Sequence, residues 1–193
     1  MAIRAKVKKL GRRFYQQPAD VLARELIGKI LVHRVGDLTL RARIVEAEAY
    51  MGPHDMASHS SKGRTQRTEV MFGRAGHAYV YFIYGMYEMF NIVAGKTGHA
   101  HVVLIRAGEP LDSWKADLSG PGKLARAMEI RRSDYGRDLT GDELFLQDDG
   151  YIPARIVAGP RVNIDYAGDW VSKPLRFCDR ESWCVSKPWL KRS

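Results

Sequence analysis

The chain of 193 residues carries 31 Lys and Arg against 22 Asp and Glu, which gives a formal net charge of +9. Its composition, 45% hydrophobic and 27% charged, is typical of a globular domain and excludes a disordered tail. No apolar stretch approaches the roughly 18 residues that cross a bilayer. A pI near 9.7 favours a polyanionic partner such as a nucleic acid. The two cysteines are too few for a disulfide scaffold, so we expect reduced thiols in an intracellular protein.

The first 13 residues contain six basic side chains and no acidic one. Two interpretations stay open, a solvated tail and an arm that touches phosphates. We expect residues 1–11 to form this basic arm and residues 12–193 to form a single domain.

The predicted elements begin with a short helix that Pro18 opens and Gly28 ends. Strands are expected in two hairpins and one further segment, over residues 29–35, 38–47, 78–83, 89–93 and 102–107. A second helix is predicted to start at Pro121, and the remaining strand-like stretches are 154–164 and 175–177. Because strands cluster and helices are few, the pattern predicts a mixed α+β domain.

The strand that begins at Leu38 alternates apolar and polar residues as far as Ile44. Continuing this period of two places Glu46, Glu48 and Tyr50 on the apolar face. A buried carboxylate is costly unless it is paired or used in chemistry, so these acids are candidates for activating water. The alternative is that the strand ends or bulges near Ile44 and both acids reach water.

Four tyrosines fall within nine residues, at positions 79, 81, 84 and 87. Tyr84 and Met86 lie at the expected tip of a hairpin, where large apolar side chains are poor candidates for a core. They suit insertion into a base stack or stacking on a flat ligand, although an ordinary aromatic-rich strand gives the same pattern. The basic residues that flank the cluster are Lys62, Arg64, Arg67, Arg74, Lys115, Lys123, Arg126, Arg131 and Arg132.

Five separated segments, in order and with compatible spacing, resemble the signature of the alkyladenine (3-methyladenine) DNA glycosylase family. They are RIVEAEAYMGP with Asp55 and ASHS, YVYFIYGMY with Asn91 and Ile92, LIRA with Glu109 and Pro110, GPGKL, and PLRF. The resemblance spans about residues 12 to 178.

The resemblance implies a single α+β domain built around a curved, mainly antiparallel sheet with a few peripheral helices. It implies a monofunctional glycosylase that excises alkylated or deaminated purines from double-stranded DNA and leaves an abasic site. It further implies a monomer that needs no metal or cofactor, does not bind a membrane, and acts in the cytoplasm or nucleoid of a bacterium or the nucleus of a eukaryote.

The resemblance also implies a role for each matching residue. The expected catalytic residues are Glu48, which activates water, and Arg106 beside that water. The residues expected to enclose the flipped base are Tyr50, His59, Tyr81 and Asn91. The residues expected to insert into the duplex are Tyr84, Met86 and Tyr87. The expected contacts to the DNA backbone are Arg64, Arg67 and Lys123.

Two questions remain at the level of sequence, and one further expectation follows from it. Alternation alone cannot choose between Glu46 and Glu48, although Glu48 is the nearer in sequence to the pocket aromatic residues. A non-catalytic minor-groove DNA-binding protein and an RNA-binding protein are the competing hypotheses. The catalytic motif contains no lysine that could form a Schiff base, so we expect no strand cleavage.

Overall fold

The computed structural model describes residues 7–112 and 114–187. The strands are β1 Lys8–Lys9, β2 Ile30–Val35, β3 Leu38–Tyr50, β4 Ala78–Ile83, β5 Tyr87–Ala94, β6 His101–Pro110, β7 Leu144–Asp148, β8 Ile156–Gly159 and β9 Arg176–Asp179. The α-helices are α1 Arg12–Tyr15, α2 Ala19–Leu26 and α3 Pro121–Ala127. Short 3₁₀ turns cover His59–Lys62, Glu69–Phe72, Arg132–Asp134 and Gly168–Trp170.

The strands form one antiparallel sheet in the order β1-β7-β2-β3-β6-β5-β4, with β9 and then β8 attached to β3. The long strand β3 organises this sheet because it has three neighbours. Its first half pairs with β2 on one edge, and its second half pairs with β9 on the same edge. On its other edge β3 pairs with β6. The predicted α+β class with few helices is confirmed.

Most predicted elements are present. The helix after Pro18 and the hairpin of β4 and β5 lie where the sequence places them, while β3 runs on to Tyr50. The stretch 154–164 is a strand only at β8, and β1, α1 and β7 were not predicted. These three are short elements whose strand or helix geometry depends on neighbours, so local periodicity carries little signal for them.

The main core lies on the face of the sheet that α2 and α3 cover. Leu22 and Leu26 of α2 and Leu124 of α3 are fully buried there against Ile44 and Ile105 of the sheet. This layer leaves the opposite face of β3, β4, β5 and β6 available for a second, more polar layer.

A β-bulge in β3 corrects one prediction. The register with β6 shifts on both sides of Glu46, at the step from Ile44 and at the step to Ala47. Because a bulge adds one residue, it reverses the alternation, and Ala47 joins Ile44 in the main core. Glu46 and Glu48 are buried as expected but lie on the face opposite that core. The prediction that they share the face of Ile44 is therefore wrong.

Part of the basic arm belongs to the sheet. Lys8–Lys9 pairs with β7, the Lys9 ammonium lies 2.6 Å from Asp142, and Leu10 is buried. Residues 1–6 lie outside the described residues, and the boundary at residue 11 stays a prediction. Among the helices of residues 7–112 and 114–187, none has the length and apolar character needed to cross a bilayer.

Candidate active site

One row of residues crosses five adjacent strands on the face opposite the main core. Tyr79 pairs with Asn91, Asn91 with Leu104, Leu104 with Glu48, and Glu48 with Arg176. Since neighbouring strands are about 4.8 Å apart, Tyr79 and Glu48 lie roughly 14 Å apart across the sheet. The sheet therefore places the Glu48 carboxylate and the Tyr79 ring on opposite sides of one surface.

A cavity of about 400 Å³ opens above this row. Its lining includes six of the residues singled out from the sequence, Tyr50, His59, Tyr81, Tyr84, Asn91 and Arg106. The other lining residues are Ala57, Ser58, Met71, Tyr79, Ile83, Met89, Val102, Leu104, Pro121, Val162, Asn163, Ile164, Tyr166 and Lys187. The volume lies within the usual range for sites that enclose a small organic group.

Glu48 lies directly behind the cavity wall and has no exposed surface. Its Oε1 accepts a hydrogen bond from the backbone N–H of Val162 at 2.8 Å. Its Oε2 accepts one from the Tyr50 hydroxyl at 3.0 Å and a longer one from Arg106 Nη1 at 3.4 Å. All three donor residues line the cavity, so the carboxylate is one layer of side chains away from it.

Burial raises the pKa of the Glu48 carboxyl above its usual value, because the charged form loses its hydration. The Arg106 cation and the Val162 hydrogen bond act in the opposite direction, while the neighbouring Glu46 adds to the rise. A carboxylate with a raised pKa is a stronger base than an exposed one.

Glu46 has a different set of partners. It accepts hydrogen bonds from Arg106 Nε at 2.8 Å, Arg176 Nε at 2.7 Å, and the backbone N–H and hydroxyl of Ser186 at 2.6 and 2.9 Å. Such a carboxylate is fully engaged in holding two arginines and the C-terminal segment. The structure therefore separates two acids that alternation could not distinguish.

His59 and two tyrosines form the aromatic wall. The His59 ring packs edge-on against Tyr81, with ring centres 4.5 Å apart, and its Nδ1 lies 2.8 Å from the Tyr79 hydroxyl. Burial, with Arg67 and Lys62 nearby, lowers the pKa of His59 to about 4, so the imidazole is neutral at pH 7. If the Tyr79 hydroxyl donates this hydrogen bond, the proton of the neutral ring lies on Nε2.

Tyr50 is held from behind by a fully buried ion pair. Arg161 contacts both oxygens of Asp55, at 2.6 and 2.9 Å, and donates to the Ala49 carbonyl at 2.9 Å. Its guanidinium stacks over the Tyr50 ring at 4.6 Å. Arg161 was not predicted from the sequence, because no local pattern marks a basic residue that a distant acid will pair with in the interior.

The tip of the β4–β5 hairpin projects beyond the cavity. Tyr84 and Met86 are 73% and 65% exposed, and Tyr84 has a positive φ of 54° beside Gly85 at 67°. A non-glycine residue in this region is strained, so the turn holds the Tyr84 ring outward at a cost. Tyr87 packs at the base of the tip against Gly122, where an added Cβ would lie 2.6 Å from its ring.

The three expected backbone contacts are exposed but already have partners. Arg64 pairs with Glu69 at 2.5 Å, and Lys123 pairs with Asp117 at 2.7 Å. The Arg67 guanidinium lies 5.1 Å above the Tyr81 ring. A bound phosphate would compete with the two carboxylates for Arg64 and Lys123.

Several functional candidates were missed by sequence reasoning, in particular Val162, Tyr166, Ser186 and Lys187. They come from the irregular C-terminal third of the chain, where no periodic pattern predicts which side chains return to the sheet. Within the described ranges, His, Cys, Asp and Glu side chains form no group of three that could hold a metal ion.

Comparison with known proteins identifies the family of the chain. Residues 13–183 match the family model described as methylpurine-DNA glycosylase (MPG). The chain belongs to the methylpurine-DNA glycosylase family. A relative from Anaeromyxobacter sp. (strain Fw109-5) is 52% identical over 180 residues, which cover 93% of each chain.

Two further relatives come from other organisms. A protein of Methanocella arvoryzae is 46% identical over 191 residues, covering 92% of this chain and 96% of its own. One of Legionella pneumophila (strain Lens) is 44% identical over 182 residues, covering 94% and 100%. All three relatives are provisionally named 3-methyladenine DNA glycosylases. As a methylpurine-DNA glycosylase family member, the chain is a DNA-repair hydrolase that acts on N-glycosyl bonds.

Proposed function

We propose that this glycosylase flips alkylated or deaminated purines out of duplex DNA and hydrolyses their N-glycosidic bond with water activated by Glu48. The observation that carries the proposal is a buried carboxylate behind an aromatic cavity, beside an exposed aromatic hairpin tip.

The hairpin tip supports the flipping step. A base inside a duplex hides its glycosidic bond, so the nucleotide must rotate out of the stack. Tyr84 would fill the gap, because its ring is exposed at the tip and also borders the cavity. Met86 and Tyr87 would pack beside it, and the stacking lost by the duplex, a few kcal/mol, would be partly restored.

The cavity supports capture of a purine. Tyr50, Tyr81 and His59 present flat rings, and the Nε2–H of neutral His59 would donate to the base edge. Alkylation of a ring nitrogen makes a purine cationic, which strengthens its stacking on tyrosine rings. Asn91 donates Nδ2 to the carbonyls of Tyr79 and Met89, which fixes its amide against the wall where it would contact the base.

The pair of Glu48 and Arg106 supports hydrolysis. Water would attack C1′ of the sugar, its proton would pass to Glu48, and the bond electrons would leave with the purine nitrogen. The developing positive charge on the sugar would be stabilised by the same carboxylate. Water must replace one donor on Glu48 to reach it, and the Tyr50 hydroxyl, which also lines the cavity, is the donor best placed to yield.

We propose that the protein acts as a monomer, as the family resemblance implies. The arginines and Lys123 around the cavity would hold the phosphates on either side of the lesion. Family membership favours this enzyme over the competing hypotheses of a non-catalytic DNA-binding protein and an RNA-binding protein.

The test is incubation with duplexes that carry one hypoxanthine, one etheno-adenine or no lesion, followed by alkaline cleavage. We expect cleavage at the lesion only after alkali. Because Lys187 lines the cavity, borohydride trapping is run in parallel. Strand cleavage without alkali, together with a trapped complex, would contradict the monofunctional assignment, and an absence of cleavage on every lesion duplex would contradict the proposed function.

A further inference from the structure

Ser186 lies beneath the active site and contacts two of its charged groups. Its hydroxyl donates to Glu46 Oε1 at 2.9 Å and accepts from Arg106 Nη2 at 3.1 Å. A serine hydroxyl has one hydrogen to give and two lone pairs, so a single side chain can serve both partners. Ser186 is 3% exposed, and neither it nor Glu46 lines the cavity.

The orientation of Arg106 follows from these contacts. Its guanidinium is planar, and its Nε and Nη2 donate to Glu46 and Ser186 respectively. Once two of the three nitrogens are fixed, the plane of the group and the direction of Nη1 are fixed as well. That third nitrogen is the one that contacts Glu48.

We infer that Glu46 and Ser186 act as a positioning pair that turns Arg106 toward Glu48 and the reacting atoms. The inference rests on the proposed function, since it assigns a role within the same reaction. It also gives a function to the C-terminal segment, which joins the site from 140 residues away along the chain.

The hydroxyl of Ser186 can be tested separately from the docking of its segment. The backbone N–H of Ser186 donates to Glu46 Oε2 at 2.6 Å, and its carbonyl accepts from Arg176 Nη2 at 3.0 Å. Both contacts remain when the hydroxyl is removed. Ser186→Ala therefore loses the side-chain contacts to Glu46 and Arg106 while the segment keeps its two backbone anchors.

A loosened Arg106 would also change the pH dependence of excision. Arg106 stabilises the ionised form of Glu48, so weakening this contact raises the pKa of Glu48. Of the other ionisable groups around Glu48 and the cavity wall in front of it, only Glu46 also loses a contact in the variant, that of the Ser186 hydroxyl. These groups are Glu46 and Tyr50 from β3, Tyr81 from β4, Arg176 and Cys178 from β9, and Lys187 at the cavity wall.

The experiment compares single-turnover excision of hypoxanthine from duplex DNA by the full chain, Ser186→Ala and Ser182→Ala. Ser182 is the matched control, because its hydroxyl anchors the same segment to Glu109 at 2.5 Å without contacting Arg106. We expect Ser186→Ala to be slower by about 10-fold or more, the scale of one hydrogen bond to a charged group. Lesion-duplex affinity should be unchanged, and the acid limb of the rate profile should move to higher pH.

Unchanged rate and pH profile in Ser186→Ala would overturn the inference, and so would an equal loss in Ser182→Ala. If Ser186→Ala does not fold, Ser186→Cys carries the same expectation, because a thiol keeps the volume but bonds weakly. If the wild type excises the lesion, Glu48→Gln does not, and Ser186→Ala does so at the wild-type rate, only the positioning pair is refuted. A wild type that excises no lesion would refute the proposed function itself.

Discussion

At the scale of single residues, the two glutamates of β3 show how partners decide what an acid can do. Glu46 is saturated by two arginines and Ser186, whereas Glu48 has donors that also face the cavity. Both are fully buried, so burial alone does not mark the reactive one. The difference lies in which surrounding groups a substrate or a water molecule can displace.

Glu48→Gln is expected to abolish excision while preserving the fold. The change keeps the volume but removes the base and its charge, and the general-base contribution alone is about 10²–10⁴-fold. Binding to a lesion duplex should persist or tighten, because a negative charge near the phosphates is lost. Single-turnover excision and duplex affinity measure the two effects.

Glu46→Gln is the companion variant; it should lower stability and, because Glu46 belongs to the positioning pair, also slow excision, though less than Glu48→Gln does. It removes one of the two buried carboxylates that contact Arg106 and the carboxylate contact of Arg176 Nε, and breaking a buried pair costs about 3–5 kcal/mol. Urea unfolding would show this loss. A stable but inactive Glu46→Gln beside a Glu48→Gln of near wild-type rate would mean that the roles are reversed.

His59 should make stability depend on pH between about 6.5 and 4. The folded pKa is lowered to about 4, while an unfolded histidine titrates near 6.5. The unfolded state therefore binds more protons in this window, and stability is lost as pH falls through it, by up to roughly 3 kcal/mol. Urea unfolding of wild type and His59→Gln at pH 7, 5.5 and 4.5 measures the difference.

We expect the gap in stability between wild type and His59→Gln to change across these pH values. His54 is exposed, and His54→Gln serves as the control for removing a histidine elsewhere in the chain. Parallel curves for wild type and His59→Gln would contradict a buried neutral imidazole.

At the scale of elements, the β4–β5 hairpin and the bulge in β3 set the geometry of the site. The hairpin carries Tyr79 and Tyr81 on the cavity face and presents Tyr84 at its strained tip. The bulge turns Glu46 and Glu48 away from the apolar core and toward the C-terminal segment. One extra residue in one strand thus moves both acids from an unreachable layer to the cavity side.

Tyr84→Ala should weaken binding to a lesion in duplex DNA by a few kcal/mol at most, the scale of one unstacked step. The loss should be smaller opposite a mismatch, where the duplex is already weak. Excision from single-stranded DNA should change little, because no gap forms there. Paired assays on duplex and single-stranded substrate measure this contrast.

Tyr81→Ala is the control for the hairpin, since Tyr81 lies inside the cavity and would hold the base after flipping. It should reduce excision on both substrates. An equal loss for Tyr84→Ala on duplex and single strand would rule out insertion of Tyr84 into the helix.

At the scale of the whole molecule, the net charge of +9 should make DNA binding weaken as salt rises and tolerate changes of sequence around the lesion. If Lys123 contacts a phosphate, Lys123→Ala lowers the slope of log affinity against log salt by about one. Asp117→Asn should tighten binding at low salt, because it frees the Lys123 ammonium from its present partner. Affinity titrations over a range of salt concentrations measure both slopes.

Lys115→Ala provides a comparison of equal charge change at another exposed position. An unchanged slope for Lys123→Ala would remove Lys123 from the DNA-binding surface. The same slope for both lysine variants would point to a diffuse effect of net charge.

The sequence by itself determined the α+β class, the main hairpins and the family, because these depend on local alternation and on contiguous motifs such as EAEAY and YVYFIYGMY. It also indicated that Glu46 and Glu48 would be buried. The side of the sheet on which they lie was decided by the bulge, which a regular period of two cannot show.

Tertiary structure alone decided which acid shares its hydrogen-bond donors with the cavity wall and what supports it. Arg161 with Asp55, and Ser186 with Glu46, pair across 106 and 140 residues of chain. Such contacts are not visible in the periodicity of the sequence, because the partner of a buried charge lies far away along the chain and is brought to it only by folding. The parts of the active site that lie on one strand or turn could thus be predicted from the sequence. The parts formed by segments that are distant along the chain could not.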